Sequence, residues 1–217
     1  MSGSTRSGTA TINAVDAAMS EVDLGPCRGR TYDRGADRWA VILPGANYLP
    51  DAPLLWFARE AIVMAGYNVL AVWDTFDRKT DGQAWVDQRT QAALAHVTGV
   101  QPLLVAKSLT TLAAHIAAER SLEAVWLTPI IAADHPLASA VVAGLKQATR
   151  PCLLVGGLAD WSWDAAVARS IPDARVVEIA DADHALQVPG NVERSLDALR
   201  SVTHAIGEFA RARPSES

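Results

Sequence analysis

Leu103-Leu104-Val105-Ala106-Lys107-Ser108-Leu109-Thr110-Thr111-Leu112 changes character halfway along. Its first half is an apolar run, short enough for a strand and apolar enough to be buried on both faces. The run stops at a small polar cluster around Ser108. A helical pattern then starts at once, with Leu109, Leu112, Ala113 and Ile116 at helical spacing. A serine at a sharp strand-to-helix turn stands clear of the sheet, with the first amides of the helix beneath it. That placement suits a nucleophile. It also suits an N-cap, because a serine oxygen accepts from free amides at a helix start. Lys107 likewise has two readings: a solvated residue on the turn, or a cation that lowers nearby pKa values or meets an acidic substrate group.

Two later segments follow strand-like runs in the same way. Gly157-Leu158-Ala159-Asp160 follows Cys152–Val155, and Asp181-Ala182-Asp183-His184 follows Arg175–Ile179. They supply an acid and a base in the order Ser, Asp, His. Asp164 rivals Asp160 as the acid, and either aspartate would also cap the helix that starts near Trp163. A loop histidine such as His184 has a pKa range suited to general-base work. His96, His115 and His204 fall inside helical patterns and His135 precedes a proline in a loop; all four read as structural, with His135 the best candidate among them for a second pocket residue.

Outward from the quoted stretch the rhythm is regular. Strands are expected at Trp39–Leu43, Tyr67–Trp73, Leu103–Ala106, Ala124–Leu127, Cys152–Val155 and Arg175–Ile179. Helices are expected at Pro53–Ala65, Trp85–Val97, from Leu109, at Leu137–Ala148, Ala165–Ile171 and Val192–Arg211. Most of the strands are continuous apolar runs, which predicts an α/β fold with a mostly parallel sheet and helices on both faces. Met1–Ala10, rich in Ser, Gly and Thr, reads as a disordered tail, and residues 11–217 as a single domain. Thr11–Arg38 is ambiguous, with room for a short edge strand or a hairpin around Gly25-Pro26.

Composition narrows the function classes. Half of the 217 residues are hydrophobic and the net charge is -5, which fits a sizeable core and argues against nucleic acid as a partner. There is no apolar signal region and no run of about 18 apolar residues, so a cytoplasmic location and no membrane partner are expected. Two cysteines, Cys27 and Cys152, make neither a disulfide framework nor a metal set. The oligomeric state is not legible. A nucleotide-binding domain would need a glycine-rich loop, and neither Pro44-Gly45-Ala46-Asn47 nor Ala106-Lys107-Ser108 has the spacing.

Taken together, residues 39–210 resemble the α/β-hydrolase fold superfamily, and most closely its small, lidless, dienelactone-hydrolase-like serine hydrolases. The family pattern Gly-x-Ser-x-Gly reads here as Ala106-Lys107-Ser108-Leu109-Thr110. Ala106 keeps the smallness the strained turn wants, and Thr110 departs from it. The family's placement of the acid after the strand-end glycine favours Asp160. Leu43-Pro44-Gly45-Ala46 resembles its oxyanion loop, with Pro44 in place of the usual histidine. The resemblance therefore implies Ser108 as nucleophile, His184 as base and Asp160 as its orienter. It implies the backbone amides of Ala46 and Leu109 as the oxyanion hole. The short Thr128–Pro136 segment implies no large lid. Candidate pocket residues are Asn47, Tyr48, Trp161 and Trp163, with Trp73, Phe76 and Ile130 as further walls. The implied activity is hydrolysis of a small-molecule ester, thioester or related acyl compound, with no metal and no cofactor. The departures at Thr110 and Pro44 keep a second reading in view, a non-catalytic binding module on the same fold.

Overall fold

In the computed structural model, which describes residues 19–97 and 101–212, eight strands form one sheet. They are β1 (Met19–Asp23), β2 (Arg28–Tyr32), β3 (Arg38–Leu43), β4 (Tyr67–Trp73), β5 (Leu103–Lys107), β6 (Ala124–Leu127), β7 (Cys152–Gly157) and β8 (Ala174–Ile179). The helices are α1 (Pro53–Met64), α2 (Gly82–His96), α3 (Ala114–Glu119), α4 (Ala138–Gln147), α5 (Ala165–Arg169) and α6 (Val192–Ala212). The expected tail over Met1–Ala10 lies outside the described residues, as does the start of the ambiguous stretch.

The strand order is β1-β2-β4-β3-β5-β6-β7-β8. From β4 to β8 all neighbours are parallel, and β1 and β2 add an antiparallel hairpin at one edge. Parallel strands covered on both faces must be apolar on both, and all five residues of β5 are buried. Alternation sorts them: Ala40, Ile42, Leu103 and Val105 pack with α1 and α6, and Val41, Leu43, Leu104 and Ala106 pack with α2, α3 and α4. The edge strand β1 is mostly exposed and carries Glu21 and Asp23, charges that discourage a further strand from pairing there.

Three expectations change. Eight strands replace six, because the hairpin around Gly25-Pro26 forms. Asp23 accepts from the Gly25 amide at 2.8 Å, and Gly25 takes the left-handed conformation the turn needs. The helix expected from Trp85 begins at Gly82, since Asp81 caps it by accepting from the Ala84 amide at 2.8 Å. The helix expected from Leu109 begins as a 3-10 turn, Ser108–Ala113, and becomes α3 only at Ala114. There the Thr110 hydroxyl donates to the Lys107 carbonyl at 3.1 Å and the Thr111 hydroxyl to the Ser108 carbonyl at 2.6 Å. Both acceptors lie three residues back, which tightens the turn.

With the parallel strands all pointing one way, the loops after β3, β5, β6, β7 and β8 gather at a single edge of the sheet. Open α/β sheets place their ligand sites at this edge.

Candidate active site

Ser108 follows directly on β5 with φ of 55°, a left-handed conformation that costs a non-glycine residue free energy and turns the chain sharply. Its Oγ lies 2.7 Å from His184 Nε2. The Thr110 that stands where the resemblance expects glycine is buried and folds back on the strand end. One hydroxyl accepts from the Lys107 amide at 3.1 Å while donating to the Lys107 carbonyl. The departure is thereby absorbed locally, with the serine still turned toward the imidazole.

His184 sits in a loop built by its neighbour. Asp183 Oδ1 accepts from the amides of Ala185 at 2.8 Å and Gln187 at 3.0 Å, and the Asp183 amide donates to the Gln187 carbonyl at 2.8 Å. On its other nitrogen, Nδ1 lies 2.9 Å from Asp160 Oδ1 and 3.0 Å from Oδ2. Asp160 Oδ1 also accepts from the Ser162 amide at 2.8 Å and the Ser162 hydroxyl at 2.9 Å. Burial alone would raise the Asp160 carboxyl; the hydrogen bonds from His184 and Ser162 outweigh it and hold the group below its ordinary value. An ionised carboxylate only accepts, so Nδ1 carries the proton and Nε2 is left to accept from the Ser108 hydroxyl.

Two glycines let these loops close up. A Cβ on Gly157 would stand 2.1 Å from the Ala182 carbonyl oxygen, and that oxygen accepts from the Ala159 amide at 3.0 Å. The loop bearing Asp160 and the loop bearing His184 are thus laid backbone to backbone. A Cβ on Gly156 would stand 2.1 Å from the Trp163 ring. This corrects the expected place of Trp163. It is 8% exposed, fills the slot over Gly156 and donates from Nε1 to Glu178 at 3.2 Å, away from the cavity. Asp164, the rival acid, accepts from the amides of Ala166 and Val167 and caps α5.

A cavity of about 720 Å³ opens over Ser108 and His184. Gly45, Ala46, Asn47 and Tyr48 form one wall, Phe76, Arg78 and Leu109 another, and Ile130, His135, Leu137 and Trp161 the rest. Trp161 is 60% exposed at the mouth, its ring 5.0 Å from that of His184 and 5.3 Å from that of His135. Trp73 is not in this wall; Arg30 stacks on it instead, 3.7 Å from the ring centre. His96 and His204 lie exposed on their helices, and His115 faces Asp87. The β6–α4 connection forms no helical insertion: Ile130–Ala132 are buried, and the amides of Ile131 and Ala132 donate to the Ser162 carbonyl.

Reading Lys107 as solvated is also corrected. It is 2% exposed, and Nζ donates to the His184 carbonyl at 3.1 Å and to Thr128 Oγ1 at 3.2 Å. Burial pulls its pKa down to about 8, against the opposing pull of Asp160 and Asp183. The signal was in the sequence: alternation along β5 puts Lys107 on the side of Leu103 and Val105, which points inward. Ser162, between two tryptophans, carries no such signal.

A serine hydroxyl bonded to an imidazole that is bonded to a buried carboxylate is chemically equipped to act on acyl carbon. The fold around it, a mostly parallel eight-stranded sheet with helices, is α/β-hydrolase-like. No family model matches the chain, and no curated protein matches it. Solved structures do. Est1E from Butyrivibrio proteoclasticus superposes with a TM-score of 0.68 at 14% identity, over 89% of this chain and 97% of that one. A dienelactone hydrolase from Anabaena variabilis gives 0.67 at 17% identity, over 88% and 94%. A serine hydrolase without lid from Xanthomonas campestris gives 0.63 at 12% identity, over 91% and 96%. At these identities the likeness establishes the fold. Among the described residues no helix is long and apolar enough to cross a membrane.

Proposed function

We propose that the protein is a serine hydrolase of the carboxylesterase kind, cleaving a small ester, thioester or related acyl compound through an acyl-enzyme. The observation that carries the reading is the chain of contacts from Ser108 Oγ through His184 to Asp160, at 2.7 and 2.9 Å, with Ser108 in the left-handed conformation. The esterase and hydrolase neighbours share the fold and lend it support.

Ser108 Oγ attacks the acyl carbon while its proton passes to His184 Nε2. Asp160 holds the imidazole by Nδ1–H and stabilises the cation formed. The amides of Ala46 and Leu109, both at the cavity, receive the negative charge that develops on the carbonyl oxygen. Gly45 leaves room beside them, since a Cβ there would crowd Tyr48 Cβ at 3.0 Å. The tetrahedral species collapses, the carbon–leaving-group bond breaks, and the leaving oxygen or sulfur takes the proton from Nε2. Water then attacks the acyl-enzyme, giving its proton to Nε2, and the free acid and Ser108 are regenerated. Asn47, Tyr48 and Trp161 would meet the rest of the substrate.

Labelling with a fluorophosphonate probe, with the adduct located by mass spectrometry, tests the reading. Wild type is expected to carry the adduct on Ser108 and Ser108→Ala to carry none. A folded wild type that takes no label would sink it and move the site to the binding-module reading.

A further inference from the structure

Among the described residues Lys107 is the one buried cation that lines the cavity, behind the proposed nucleophile, and its three neighbours come from three different segments. The His184 carbonyl belongs to the β8–α6 loop, Thr128 directly follows β6, and Tyr48, whose ring centre is 4.6 Å from Nζ, belongs to the β3–α1 loop. One side chain on the nucleophile's own strand therefore ties down the main chain of the proposed base. Burying an ammonium is costly, and an apolar side chain of similar length would fill the space without that cost. The charge is thus matched to what surrounds it: a carbonyl and a hydroxyl that accept, an aromatic face, and the carboxylates of Asp160 and Asp183.

We propose that Lys107 is a positioning residue. By donating to the His184 carbonyl it holds the imidazole at hydrogen-bond distance from Ser108 Oγ. The proposal rests on the serine-hydrolase reading and goes beyond it, because the nucleophile, base and acid account for the chemistry without it. The tie depends on the ammonium's charge. A neutral amine donates more weakly, so the hold slackens as Nζ loses its proton, and the ordinary pKa of a lysine has here been brought down to about 8. The groups facing Nζ in this range are Asp160 from the β7–α5 loop, Asp183 and His184 from the β8–α6 loop and Tyr48 from the β3–α1 loop. Arg78 lies across the cavity.

The test compares wild type, Lys107→Met and Thr128→Val, full chain in each case, with two readouts. The first is the rate of fluorophosphonate labelling from pH 6.5 to 9.5 (roughly one and a half units to either side of the Lys107 titration). The second is the downfield proton resonance of His184 Nδ1–H in histidine-labelled protein. Lys107→Met is expected to label about thirtyfold more slowly at neutral pH and to lose or shift the resonance. Thr128→Val leaves the His184 contact in place and should slow labelling less than about threefold. The wild-type rate should fall above pH 8, and that fall should be missing in Lys107→Met. Labelling of Lys107→Met at the wild-type rate overturns the proposal, as does slower labelling with the resonance unchanged. A wild type without the alkaline fall overturns it with no variant at all. If wild type takes no label while its His184 resonance still depends on Lys107, the hydrolase reading fails and the positioning role stands.

Discussion

Ser108 and His184 meet at 2.7 Å, yet the chain holds the two in different ways. Ser108 hangs from β5, a fully buried central strand with β3 and β6 on either side. Its direction is set by one left-handed backbone angle, and the residues that support the turn, Thr110 and Thr111, bond mainly to carbonyls and amides within three positions of themselves, Thr111 Oγ1 also accepting from the Ile130 amide at 3.4 Å. The geometry of Ser108, the proposed nucleophile, is thus largely local. His184 has no strand of its own beneath it. It is placed by Asp183 folding the loop, by Ala182 lying against Gly157, by Asp160 and by Lys107. The geometry of His184, the proposed base, is assembled from four segments, which makes it the more fragile half of the site.

That contrast can be attacked directly. The largest effect is expected from Asp160→Asn, which keeps the shape but turns the wrong edge to Nδ1. Probe labelling should drop about 10⁴-fold while the melting temperature moves little. Retention of more than a tenth of the rate would mean that the loop, not the carboxylate, orients the imidazole. Next comes Gly157→Ala, remote from the reacting atoms. The added Cβ must push the Ala182 backbone, so denaturant unfolding should show a loss of about 3 kcal/mol. Labelling should slow about a hundredfold as His184 shifts. The smallest effect is expected on the other half, from Thr110→Gly. It removes two local hydrogen bonds and adds backbone freedom, costing about 1.5 kcal/mol in unfolding. The labelling rate should change less than about threefold, since φ at Ser108 is held by β5 as well. If Thr110→Gly slows labelling more than Gly157→Ala does, the contrast between a self-sufficient nucleophile and a dependent base is wrong.

The same contrast marks how far the sequence could be read. Strands such as Leu103–Lys107 and Cys152–Gly157 announce themselves because double-sided burial demands unbroken apolar runs. The serine turn, the acid and the base follow such runs in order, so their meeting could be expected. What escaped was whatever depends on one specific partner rather than on apolar spacing. Trp161 and Trp163 are indistinguishable as letters, and only the side-chain-free slot at Gly156 sends one inward and leaves the other at the mouth. Ser162 acquires its role from Asp160 closing back on it. Lys107 was misread because a charge was weighed above its position in the alternation of a central strand. The start of α2 was misplaced because apolar spacing says nothing of Asp81, whose contribution is a cap.

The tilted stack of Trp161 on His184 has a consequence of another kind. An indole's emission follows its surroundings, so a ring that lies 5.0 Å from the His184 ring and is 60% exposed is expected to change its light when a molecule covers it. Set at the mouth and largely open to solvent, this ring makes the site its own optical reporter. Arrival of a ligand would become visible as a change in native fluorescence, without any dye attached.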